Sequence, residues 1–346
     1  MDIDSVVSAV QNNFKVYFVE KTEDGEGIRL YVLNPDINLL GVLSEKLGES
    51  GWEITLKEKL GEQYIEIRRK EKEKSRVWLN ILLLILTFVT TTYVGMSFYP
   101  PNQNRLAGGI VFSTAILFVL GSHEMGHYFA ARRWGVKTSL PYFIPAPTIL
   151  GTFGAVITQK SNCPNRKALF DLGVSGPMVG VIASIIVTYI GLKMPAPNVV
   201  AHTHYIEIGE PPLYKIIEII AHFSGKFMSP VAFAGWAGML LTCLNMIPVG
   251  QLDGGHVLRA MIGRASDQVS KLMPIAVLGV GYLSDMYYGG GTIWIVWSLI
   301  LLFFSFVPHP SPIDDETRID KKRYALGIVA FGIALLCFTP APFRLR

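Results

Sequence analysis

From Val77 onward the chain alternates long apolar runs with short connections, and this alternation constrains the fold more than any other feature. A hydrocarbon core about 30 Å thick takes roughly 20 predominantly apolar helical residues. Backbone polar groups inside it must be satisfied within the protein, which favours helices as the spanning elements. Runs near 77–99, 107–131, 168–192, 230–250, 272–288, 292–308 and 324–340 read as spans, about seven in all. The fifth and sixth are short, and Gly289-Gly290-Gly291 joins them.

Residues 1–76 are mixed and charged. Phe14–Glu20 and Ile28–Asn34 read as strands around a polar turn. Leu39, Leu40, Leu43 and Leu47 follow at helical spacing and stop at Gly48. Trp52, Ile54 and Leu56 alternate, and Tyr64–Ile67 is a further strand. The expected unit is a small soluble α+β domain of order ββαββ after a short N-terminal helix. It shows no ligand cluster, phosphate loop or stacking platform, so an accessory role is expected. The basic linker 68–76 closes it, giving two domains, 1–76 and a membrane-embedded 77–346.

Charge sets the expected orientation. The connections assigned to the cytoplasm carry 13 Lys and Arg against 6 on the other side. This predicts a multi-pass protein of the cell membrane with a cytoplasmic N-terminus and the C-terminus opposite. The acidic start Met1-Asp2-Ile3-Asp4 leads to the expectation of no signal peptide. A net charge of +4, dispersed along the chain, argues against nucleic-acid binding. Cys163, Cys243 and Cys337 are far apart and form no CxxC pair, so neither a disulfide framework nor a thiolate metal site is implied.

The second span ends in His123-Glu124-Met125-Gly126-His127. Histidines four apart share one helix face, which lets both imidazoles reach a single Zn²⁺. Glu124 between them suits a general base acting on water at the metal. His and Glu are costly at membrane depth unless they face a protein interior or a wet cavity, and that argues for chemistry over chance.

Two further segments bear on this site. Thr138–Lys160 is largely apolar, yet Pro141, Pro145 and Pro147 rule out one regular helix. A re-entrant loop or hairpin is expected, with residues 151–158 supplying an extended strand. Downstream, Pro248 and the glycines of Asn245-Met246-Ile247-Pro248-Val249-Gly250-Gln251-Leu252-Asp253-Gly254-Gly255 interrupt the fourth span at the histidines' depth. Asp253 is the leading candidate for a third ligand in an open catalytic site. It could equally mark a turn, and Asn245 could be interhelical glue. Ser175-Gly176-Pro177 in the third span reads as helix packing. His202, His204 and His222 read as solvent-facing.

Taken together, His123-Glu124-Met125-Gly126-His127, Ser175-Gly176-Pro177 and Asn245-(x2)-Pro248-(x4)-Asp253-Gly254 resemble the site-2 protease family of intramembrane zinc metalloproteases. The resemblance covers roughly residues 107–260. It implies one catalytic zinc on His123, His127 and Asp253, with Glu124 as base and Asn245 supporting the polarised carbonyl. Gly151-Thr152-Phe153-Gly154 is similar to the archaeal and chloroplast subgroup with a soluble N-terminal region. There it would bind an unwound substrate segment by strand addition. The implied activity is hydrolysis of peptide bonds in or near transmembrane segments, with membrane-protein substrates and the bilayer as partners. A zinc transporter needs no Glu between paired ligands. Membrane metalloproteases acting on prenylated proteins normally take a downstream Glu as third ligand. Neither matches the whole pattern.

Overall fold

The computed structural model describes residues 2–22, 27–33, 35–59, 62–69, 77–197, 206–225, 227–307 and 312–345. Two compact units divide the chain, Met1–Ser75 and Arg76–Arg346.

The first unit runs α1 (Ile3–Asn13), β1 (Val16–Lys21), β2 (Gly27–Val32), α2 (Ile37–Glu49), β3 (Trp52–Lys59) and β4 (Glu62–Arg69). Asp2 starts α1 by accepting the Ser5 N–H, an N-cap that satisfies one of the helix's orphan donors. The antiparallel sheet has the order β1-β2-β4-β3. Both helices pack on one face, where Val6, Val10 and Leu47 meet Leu30, Ile54, Ile65 and Ile67. Strand alternation sends Arg29, Tyr31, Tyr64 and Glu66 to the other face. There Glu66 is buried beneath Lys57, Arg68 and Arg29. The anticipated ββαββ order is present.

The second unit is mostly helical: α3 (Val77–Ser97), α4 (Arg105–Arg133), β5 (Tyr142–Pro145), β6 (Thr152–Val156), α5 (Arg166–Lys193), β7 (Ile206–Ile208), α6 (Pro212–Ile220), α7 (Pro230–Asn245), α8 (Asp253–Ile262), α9 (Ser266–Tyr288), α10 (Thr292–Ser305), α11 (Lys321–Leu336) and β8 (Phe343–Leu345). Among the described residues, α3, α4 and α5 are long and apolar enough to cross a membrane, while α7 and α10 are shorter apolar helices. The expected runs 230–250 and 324–340 give 16-residue helices: Pro248 stops the first, and the second is shifted, beginning at Lys321 and ending at Leu336. The fifth run is longer than expected, since α9 extends back to Ser266.

Starts of these helices follow their caps. Asn104 accepts the Ala107 N–H, Asn165 accepts the Ala168 N–H, and Ser229 accepts the Ala232 N–H ahead of Pro230. α4 packs against α3, α5 and α7, and α5 also packs against α7 and α8. The α4–α5 crossing is close because it is built from small residues. A Cβ on Gly126 would lie 2.7 Å from the Ser175 carbonyl oxygen.

Between α4 and α5 the chain forms the expected hairpin. β5 and β6 pair antiparallel, Tyr142 with Val156 and Phe143 with Ala155, and a Thr138–Gln159 bridge extends the pair. α3 holds the hairpin at both ends. Asn80 donates to the Leu140 and Pro141 carbonyls, each at 2.9 Å, and the Thr90 hydroxyl donates to the Gly151 carbonyl at 2.8 Å. Gly151 sits at φ +77°, and a Cβ there would meet the α3 backbone at Thr91.

Candidate metal centre

α4 places His123, Glu124 and His127 on its buried side. The two ring centroids are 4.9 Å apart, and the Nε2 atoms approach to 3.1 Å. The ring orientation of His127 is fixed from behind. Its Nδ1–H donates to the Leu172 carbonyl at 2.8 Å, so the Nε2 lone pair points towards His123. A carbonyl can only accept, so this hydrogen bond also selects the tautomer.

The space for these rings comes from α5. A Cβ on Gly176 would overlap the His127 imidazole, and one on Gly180 would come within 2.9 Å of His123 Nδ1. Ser175-Gly176-Pro177 therefore packs helices, as its composition suggested, and its glycine also gives a ligand ring room to stand. Spacing within the motif gives no hint of this; only the α4–α5 crossing does.

Asp253 comes from the far side. α7 ends at Asn245, Pro248 blocks its continuation, and the chain turns through Gly250 at φ +50° before α8 begins at Asp253. The α8 start is compact: side chains at Gly254 or Gly255 would strike the 246–250 backbone. Asp253 Oδ2 then lies 3.2 Å from His123 Nε2, and Oδ1 lies 3.3 Å from His127 Nε2. Asn245 Nδ2 is 3.4 Å from His123 Nε2.

His123, His127 and Asp253 offer ligand atoms that all lie within 4.8 Å of one another. Lone pairs converge here, and Asp253 Oδ2 is buried without a hydrogen-bond partner. Such a set repels itself unless a cation sits among it, and two imidazoles with one carboxylate match the open three-ligand sites of zinc. The donor set fits the metal. Glu124 is buried beside the cluster, one residue after His123 on the same helix. Sequence reasoning had no route to the Leu172 carbonyl behind His127, because a backbone acceptor leaves no mark on residue identity. Of the hairpin residues, Thr152 is buried and its hydroxyl donates to the Ile144 carbonyl at 2.8 Å. Gly154 takes φ +103°, and Phe153 is 72% exposed. None of the four enters the metal cluster. His202 and His204 lie outside the described residues, and His222 follows α6.

A helical unit with a buried His-Glu-x-x-His helix and a carboxylate arriving from a broken segment defines the metallopeptidase class. The family model described as peptidase family M50 matches residues 111–284, and the chain belongs to that family. This agrees with the resemblance to the site-2 proteases. Among curated relatives, the probable zinc metalloprotease EGY1, chloroplastic, of Oryza sativa subsp. japonica is 31% identical over 257 residues, 70% of this chain and 43% of that protein. The protein of the same description from Arabidopsis thaliana is 31% identical over 255 residues, 70% of this chain and 45% of its own. The probable zinc metallopeptidase EGY3, chloroplastic, of Arabidopsis thaliana is 27% identical over 280 residues, with shares of 75% and 47%. The chain thus spans less than half the length of these relatives. No solved structure matches it.

Proposed function

We propose that this chain is an intramembrane zinc metalloprotease that hydrolyses peptide bonds in or near transmembrane segments of other membrane proteins. The observation that carries this reading is the convergence of His123, His127 and Asp253 beside Glu124 on an apolar helix of spanning length. Ionisable groups are kept at such depth where they bind or react. Residues 77–346 are the protease domain and 1–76 an accessory domain. The seven apolar runs are its spans, α7 and the shorter helices crossing with help from neighbouring protein. The N-terminus lies in the cytoplasm of a cell with this protein in its bounding membrane.

The chemistry divides among named side chains. His123, His127 and Asp253 hold Zn²⁺, which supplies Lewis acidity, making water acidic near neutral pH and a peptide carbonyl electrophilic. Glu124 takes the proton from the attacking water and returns it to the leaving amine. The Asn245 amide donates to the developing oxyanion. A substrate helix hides its carbonyls in its own hydrogen bonds, so a segment must unwind before attack. β6 pairs with β5 along one edge and with no strand along the other among the described residues. That edge accepts the unwound segment by strand addition, with Gly151, Thr152, Phe153 and Gly154 as the binding stretch. A zinc transporter would use the ligands and leave Glu124 idle, and membership of a peptidase family argues against it.

The test is metal analysis of detergent-purified protein, with mass spectrometry of products from single-span substrates. About one zinc per chain and cleavage by wild type but not by Glu124→Gln support the reading. Cleavage by both proteins at equal rates overturns it.

A further inference from the structure

α8 carries Asp253 at its first residue, but its other end is where the chain invests buried charge. Arg166, in the first turn of α5, donates Nε at 3.0 Å and Nη2 at 2.7 Å to the Ala260 carbonyl. That carbonyl lies in the last turn of α8 and has no acceptor role left within the helix. One residue earlier, Arg259 is 5% exposed at its side chain and donates Nη2 to Asp315 Oδ2 at 2.8 Å. Asp267 stands 3.6 Å from Arg259 Nη1.

Asp315 is itself held. The Ile313 N–H donates to the Cys163 carbonyl at 2.9 Å and the Asp314 N–H to the Pro164 carbonyl at 3.0 Å, pairing this segment with the stretch ahead of α5. The Asp314 carboxylate accepts the N–H groups of Glu316 and Thr317, each at 3.0 Å. Residues 313–317, ahead of α11, are therefore fixed to the start of α5 and grip the end of α8.

We infer that Arg166, Arg259 and Asp315 are positioning residues, a clamp that sets the direction of α8 and so delivers Asp253 to the metal. The inference rests on Asp253 being a ligand. Glycine packing fixes where α8 begins: a Cβ on Gly173 of α5 would lie 3.1 Å from the Asp253 carbonyl oxygen and 2.9 Å from the His256 Cβ. Smooth backbone contacts of this kind leave tilt open. A tilt of roughly 10° moves a side-chain oxygen by several tenths of an ångström, beyond the ~0.2 Å tolerance of a metal–ligand bond. Buried ions cost several kcal/mol each unless paired, so apolar contacts would hold this end with less penalty. What the guanidinium forks add is direction.

The experiment uses the full chain in detergent. Zinc affinity is read by competition with a chromophoric chelator, and ligand geometry by the visible absorption of the Co²⁺-loaded protein. Asp315→Ala and Arg259→Gln are expected to weaken zinc about tenfold or more and to alter the Co²⁺ bands, with Arg259→Lys recovering part of the loss. Asp320→Asn, also ahead of α11 but paired with Arg323, is the control: it lowers the thermal midpoint and leaves zinc affinity and spectrum unchanged. If Asp315→Ala does not fold, Asp315→Asn keeps the shape and is judged by the same readouts. Clamp variants within about twofold of wild-type affinity, with an unchanged spectrum, overturn the inference. Asp253→Asn separates the two claims. Unchanged zinc in that variant sinks the ligand reading and the clamp with it. Loss there, with intact zinc in the clamp variants, sinks the clamp alone.

Discussion

The two halves of the metal centre are built in opposite ways. α4 delivers His123, Glu124 and His127 within little more than one turn of a 29-residue helix, so their mutual geometry is set by helix pitch. Asp253 arrives on a separate ten-residue helix after a break at Pro248, and its place depends on α5, on glycine contacts and on the far end of α8. The first half has its spacing set locally, and α5 adds only room and orientation for its rings. The second is long-range and inherits every error in the packing. A chain can therefore keep its zinc motif intact and still lose the site through residues that touch no metal.

The largest effect should come from the local half. His123→Ala or His127→Ala is expected to remove nearly all bound zinc, because two remaining ligands do not hold the ion against exchange. Elemental analysis of purified variants decides it, and full occupancy in both would dissolve the comparison at its root.

Glu124→Gln should lower the cleavage rate by about 10²–10⁴-fold while zinc is retained, since the amide keeps the shape but not the basicity. Turnover near wild type would take Glu124 out of the chemistry.

Gly176→Ala tests whether long-range packing reaches into the local half. Its new methyl meets the His127 ring directly, so zinc affinity should fall by about 10–100-fold. Ser175→Ala beside it removes only a hydroxyl that donates to the Leu172 carbonyl at 3.0 Å, and should leave affinity near wild type. Equal effects at the two positions would mean that helix packing in general, and not room for the ring, is what Gly176 provides.

A smaller effect is expected where α3 holds the hairpin. Asn80→Ala deletes two hydrogen bonds to carbonyls, a loss of about 1 kcal/mol, or about 2–4 °C in thermal midpoint, with zinc unchanged. If β6 receives substrate, KM should rise more than kcat falls.

The smallest concerns pH. Asp320 caps α11, and the Arg323 backbone N–H together with the Arg323 guanidinium holds its carboxyl at about 2. Because that value lies below the ordinary carboxylate range, its contribution to stability is complete above about pH 4 and disappears as pH falls through 2. Asp320→Asn should flatten this acid limb of the thermal midpoint without touching the metal, and a shifted zinc affinity would tie α11 to the site after all.

Sequence by itself determined the outline of the elements and the local spacing of His123, Glu124 and His127. Apolar run length separated residues 1–76 from the rest, period-2 and period-3.6 patterns gave the α+β order, and prolines at 141, 145 and 147 forced a hairpin where hydropathy alone would have drawn a helix. His123, Glu124 and His127 were legible because a helix converts a spacing of four into one face. Asp253 was legible only as a candidate, since a turn signal and a ligand look alike in a string of letters. Tertiary structure decided the remainder. It made Asp253 converge on the histidines, turned Gly176 from a packing residue into a wall of the His127 ring, brought Gly180 against His123, and set the Leu172 carbonyl behind His127. It also showed Arg166 and Arg259 to be buried where loop charges had been counted only for topology. The reason is physical: backbone donors, backbone acceptors and empty space carry no side-chain signature, and they exist only once two distant segments have been brought together.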